Sequence, residues 1–240
     1  MIRLMSSYAT TVSQAPASEQ AAFYRRTYTH VAGALAGFAV VLYALMSTGL
    51  GPALFIPILK LGTWSWLLVM GAFWLGTSVA QSMAANQASR GMQYAGLSLY
   101  VVMEALIFVP IMIMVGAATK GNYMEILDPA CTATGVIVAG LTAVVFLTGA
   151  NFSFLRTVLT VGSLAALGVI VVSALFGLSI GGWFSIAMIL LMSAAILYQT
   201  WAIREQYATD QHVSAAIALF AAIVTLLWYV IRFFLSRRSE

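Results

Sequence analysis

Seven runs of roughly twenty apolar residues, separated by charged or Gly/Pro-rich breaks, leave this chain one class of fold. The runs are residues 28–48, 64–84, 94–118, 130–150, 157–180, 183–203 and 212–235. Each is long enough to cross the hydrocarbon core of a bilayer as a helix. Isolated strands would leave backbone groups unpaired in lipid, so helices are the only spanning form these runs can take. The chain is 62% hydrophobic and only 8% charged, against roughly 25% charged residues in soluble domains. The expected fold is therefore an all-α bundle of seven transmembrane helices, with no second, soluble domain. Residues 27–235 form the membrane domain. Residues 1–26 read as a flexible amino-terminal tail, and 236–240 as a short carboxy-terminal one. The tail lacks the charged, apolar, then small-residue pattern of a cleaved signal peptide.

The linkers are short. Residues 178–182 leave almost nothing between the fifth and sixth spans, which predicts a tight hairpin. Asp128-Pro129 and Thr209-Asp210 read as helix starts with aspartate caps. Trp64, Trp66, Trp183 and Trp228 fall near span ends, where aromatic belts are expected. Gly33 and Gly37 set a GxxxG spacing in the first span, with Ala32 and Ala36 beside them, and packing within the bundle is its expected use. An odd number of spans puts the two chain ends on opposite sides. Arg25 and Arg26 abut the first span and put the amino terminus in the cytoplasm of a cell with an inner membrane. The carboxy-terminal RFFLSRR pulls the other way.

Within the spans, polar groups are few enough to name. Glu104 is the only charged residue between Arg90 and Lys120, inside the run GLSLYVVMEALIFVPIMIMVG. The other six acids (Glu19, Glu125, Asp128, Glu205, Asp210 and Glu240) fall in tails or linkers. An ionisable group at mid-membrane is costly and marks a site or a buried hydrogen bond. Tyr100 precedes it by one helical turn, and Pro110 follows within two turns and can bend the helix. Gln81 in the second span and Gln199 in the sixth cannot satisfy themselves on their own helix and should face the interior. Tyr198 and Thr225 complete the polar set assigned to a candidate ion path: Glu104, Gln81, Gln199, Tyr100, Tyr198 and Thr225.

Several function classes are excluded. Retinal chemistry needs a lysine inside a span, and Lys60 and Lys120 both lie in linkers. No span holds the aspartates of an intramembrane aspartyl protease, and no serine has a nucleophile–base setting. Enzyme activity is therefore not expected. His30 and His212 alone make neither a zinc site nor a persuasive haem site, and no cofactor or resident metal is expected. Cys131 is the single cysteine. The net charge of +4 is scattered, which excludes nucleic-acid binding.

The segments YAGLSLYVVMEALIFVP (94–110), ACTATGVIVAGLTAVVFLTGANFSFLR (130–156), AAILYQTWAIREQY (194–207) and DQHVSAAIALFAAIVTLLWYVIRFF (210–234) resemble the Bax inhibitor-1, or transmembrane Bax-inhibitor-motif, family. The resemblance runs from FYRRTYTHVAGALAGFA at the first span to the carboxy terminus. It implies a seven-helix bundle with the last helix central, and a calcium or proton-linked cation leak tied to stress regulation. It also implies that a membrane-bound ATP-dependent protease is a candidate partner. Well-understood leak members carry two aspartates, one after the ILY motif and one midway along the last span. Here Gln199 follows ILY, and the matching stretch 219–223 holds no acid, Ala222 included. The expected function is a cation leak with Glu104 as its single intramembrane carboxylate. A non-transporting regulator, bound to a membrane protease or other complex through the amino-terminal tail, is the alternative.

Overall fold

The computed structural model describes residues 10–86, 89–178 and 181–238. Eight α-helices follow a short 3-10 turn at Val12–Gln14: α1 Ala17–Ser47, α2 Leu50–Lys60, α3 Thr63–Ala84, α4 Arg90–Ala118, α5 Met124–Thr148, α6 Leu155–Phe176, α7 Gly182–Glu205 and α8 His212–Arg238. All except α2 are long and apolar enough to cross a membrane, giving the seven spans the sequence predicts. Among the described residues there is no strand, only an isolated bridge between Thr11 and Ala208.

The core sits around α8, which packs on α1, α3, α4, α5 and α7. Its face of Ala215, Ala216, Leu219, Phe220, Ile223, Val224, Leu226 and Ile231 is buried. The last helix is thus central. By contrast α6 packs mainly against α7 and exposes Val161, Leu164, Leu167 and Phe176. Those side chains suit lipid, where an apolar surface costs nothing.

The helix starts differ from expectation in three places. First, α1 begins at Ala17 rather than near Tyr28, because Glu19 lies in its first turn and the Pro16 carbonyl accepts the Glu19 and Gln20 amides. The tail is not free up to Arg26. The Val12 amide donates to the Tyr207 carbonyl at 2.9 Å, and the Val12 side chain is fully buried. Residues 1–9 of the expected tail lie outside the described residues. Second, α5 begins at Met124, which leaves Asp128 and Pro129 inside the helix rather than at its start. The turn 119–123, with Gly121 at φ 89°, already reverses the chain there. Third, Gly49 at φ 74° turns the chain into α2, whose 11 residues are too few to span and were legible only as a linker.

Two ends of the bundle follow from the helix directions. At the amino-terminal end Ser214 Oγ donates to the Ala84 carbonyl at 3.1 Å. Arg204 caps the end of α5 there, donating from Nη1 to the Val145 carbonyl at 2.9 Å and from Nη2 to the Gly149 carbonyl at 3.1 Å. At the opposite end Arg238 pairs with Glu125.

Candidate functional site

Glu104 lies at the middle of α4, and its side chain is 4% exposed. It lines a cavity of about 620 Å³ that extends from Glu104 toward the carboxy-terminal end. Four helices build its wall. Phe73 comes from α3, Tyr100 and Phe108 from α4, Ser173 from α6, and Thr225, Trp228, Tyr229 and Arg232 from α8. Most of the lining is aliphatic or aromatic, so the few polar groups stand at its two ends. Glu104, Tyr100 and Thr225 are deep, and Arg232 is near the outer end. From Thr225 to Arg232 is seven residues of helix, about 10 Å at 1.5 Å per residue. Thr225 Oγ1 is spent on the Ala221 carbonyl at 2.8 Å, so Glu104 and the neighbouring Tyr100 hydroxyl are the deep groups that carry the chemistry of the cavity.

A second cavity, about 640 Å³, lies toward the amino-terminal end. Ser78, Gln81 and Ser82 of α3, Gln199 of α7, Ser214 and Ala221 of α8, and Tyr207 of the α7–α8 linker line it. Burial pushes the Tyr207 phenol up to about 12, so it stays neutral and can donate at ordinary pH. Gln199 and Ala221 share this cavity. The two stretches where the resembling family carries its acid pair are therefore neighbours here, without an acid.

The two cavities approach each other at Tyr100. Its hydroxyl interacts with Gln81, which lines the amino-terminal cavity, and with Glu104, which lines the other. The Tyr100 ring is held edge-on against Phe220, centroids 6.1 Å apart. Phe108 is wedged in turn between Phe38 at 4.8 Å and Trp228 at 5.1 Å. These ring contacts fix Tyr100 and Phe108 in the bundle interior.

Five of the six sequence-assigned residues meet in this arrangement: Glu104, Tyr100 and Thr225 on one side, and Gln81 and Gln199 on the other. Gln81 departs from expectation in one respect. It is exposed, on the edge of its cavity, because the polar stripe Ser78–Gln81–Ser82 lies on the face of α3 away from its buried Ala80 and Ala84. Tyr198 does not join Glu104. It sits nearer the amino-terminal end, with its hydroxyl 3.3 Å from Gln206 Oε1 and its ring tilted on Trp201.

Sequence reasoning missed Phe73, Ser173 and Arg232 as cavity residues, and read Trp228 as a belt residue. Trp228 is 16 positions into α8 and packs inward on Phe108. Arg232 carried a usable signal, as a cation still inside the last apolar run. The GxxxG spacing does less than expected. A Cβ on Gly37 would make only an ordinary contact with Val101 of α4, while space beside Gly33 is open. The close helix contact is elsewhere. A Cβ on Gly96 would fall 2.5 Å from the Ala80 carbonyl oxygen.

The family model described as "Inhibitor of apoptosis-promoting Bax1" matches residues 20–239. The chain belongs to the Bax inhibitor-1 family. With seven membrane-length apolar helices, this Bax inhibitor-1 family member is an integral membrane protein. A search of curated proteins gives no match.

Proposed function

We propose that this Bax inhibitor-1 family protein is a cation leak pathway in which protons are the main permeant species and Glu104 is the group that takes them up and releases them. The observation that carries this reading is the pair of cavities, lined toward opposite ends of the bundle, with Tyr100 placed between Gln81 of one and Glu104 of the other. A proton needs only a chain of exchangeable groups across such a divide, not a continuous pore.

Calcium fits less well. It takes 6–8 oxygen ligands, whereas the cavity supplies one carboxylate. No group of three His, Cys, Asp or Glu side chains occurs among the described residues. Arg25 and Arg26 support an inner-membrane protein with its amino terminus in the cytoplasm. No enzymatic step is proposed.

The regulator reading draws on the exposed small-residue face of α1, Ala32, Gly33 and Ala36, which another helix could approach closely. Proton flux separates the two readings. In liposomes carrying an entrapped pH dye and an imposed pH gradient, the wild-type protein should dissipate the gradient faster than empty vesicles. Glu104→Gln should slow that flux several-fold and flatten its dependence on pH. Flux unchanged by the substitution would remove Glu104 from the pathway. No flux from folded protein would favour the regulator.

A further inference from the structure

The carboxy-terminal cavity has a second way in. Its wall is shared by α3 and α6, yet α6 packs mainly on α7 and makes no comparable contact with α3. Phe73 of α3 faces Ile170, Ser173 and Ala174 of α6 across that gap. Both helices present apolar side chains to lipid around it, Trp74 and Leu75 on α3 and Leu167 and Val172 on α6. On that side the cavity is not closed by helix–helix packing, which leaves room for entry from the membrane.

The lining fits one ligand chemistry best. Five aromatic side chains, Phe73, Tyr100, Phe108, Trp228 and Tyr229, surround the space, and an enclosed carboxyl group stands at its inner end. Aromatic faces attract desolvated cations, and a carboxylate gives the charge a partner where water is excluded. A volume of about 620 Å³ falls within the range of about 300–1,000 Å³ typical of small-molecule sites. Arg232 guards only the aqueous route. Its guanidinium carbon lies 5.8 Å from the centre of the Phe184 ring, at the end of the cavity away from Glu104. A ligand arriving through lipid would not pass it.

We infer that this cavity is a binding site for lipophilic organic cations, which enter from the membrane between α3 and α6 and pair with Glu104. The titratable groups that share the lining with Glu104 are few: Tyr100 on its own helix, and Tyr229 and, at the far end, Arg232 from α8, with none from α3 or α6. A bound cation takes the place of the carboxyl proton, which leaves to solvent, so cations and protons compete. The inference concerns binding and stands whether or not the protein conducts.

The test uses the purified full chain in detergent and two probes of nearly the same shape, tetraphenylphosphonium and tetraphenylborate. Calorimetry should give saturable binding of the phosphonium, at least about ten-fold tighter than that of the borate, and weaker at pH 5.5 than at pH 8. Glu104→Gln should abolish the preference for positive charge, and Arg232→Gln should preserve or strengthen it. Ser173→Trp, which fills the side opening and leaves Glu104 in place, should weaken binding and covers the case in which Glu104→Gln fails to fold. Equal binding of the two probes would overturn the inference. So would phosphonium binding that survives Glu104→Gln, Arg232-dependent preference for the borate, or no saturable binding by folded wild-type protein.

Discussion

Tyr100 is where a single atom decides between a divided path and two unrelated cavities. Tyr100→Phe keeps the ring against Phe220 and deletes only the hydroxyl that faces both Gln81 and Glu104. If protons cross there, flux in the liposome assay should fall several-fold. Stability should fall by no more than about 0.5–1.5 kcal/mol, the scale of one hydrogen bond, as followed by thermal unfolding in detergent. Undiminished flux with an unchanged melting temperature would mean that the path runs elsewhere. Glu104 and Tyr100 were legible in the sequence because polarity inside a twenty-residue apolar run is rare, and because a spacing of four sets two side chains on one helix face. Arg232, Trp228 and Phe73 were not. Their place in the cavity depends on which way α3 and α8 are rotated, and hydropathy in a helix apolar on nearly every side carries little about rotation.

At the scale of helices, apolar length carried the spans, and local chemistry misplaced some of their ends. Asp128-Pro129 has the composition of a helix start, but the chain had already turned at Gly121, so α5 absorbs the proline near its beginning. The small-residue rule identified the right kind of contact on the wrong helix. Spacing shows that backbones can approach, not which neighbour is there. Gly33→Ala and Gly96→Ala make the contrast measurable. Nothing lies within 4 Å of the Cβ that Gly33→Ala would add, whereas on Gly96 it would meet backbone atoms of Ala80 and Ala84 at 2.5 and 2.6 Å. The first substitution should leave the melting temperature in detergent unchanged or slightly raised, since alanine is the better helix former. The second should cost about 1–3 kcal/mol, as overpacking does where backbone must move. Equal melting temperatures for the two variants would mean that α3 and α4 are not in the close contact described.

For the whole molecule, the arrangement to be tested is two spaces that reach water from opposite faces and do not join. An odd number of spans argues for termini on opposite sides, but parity says nothing about cavities. Those depend on how α3, α6 and α7 are set around the central α8, which no linear pattern encodes. Single cysteines read the arrangement directly, once the exposed Cys131 has been replaced by serine. Ser82→Cys, in the amino-terminal cavity, should react with a membrane-impermeant thiol reagent applied on the amino-terminal face alone. Ser173→Cys, in the other cavity, should react only from the carboxy-terminal face, and more slowly when tetraphenylphosphonium is bound. Ala216→Cys, fully enclosed on α8, should react from neither. Labelling of Ser82→Cys and Ser173→Cys from the same face would mean that the two spaces are one vestibule. Tyr100 would then divide nothing, and Glu104 would be a binding residue at the blind end of a pocket rather than a stage in a crossing.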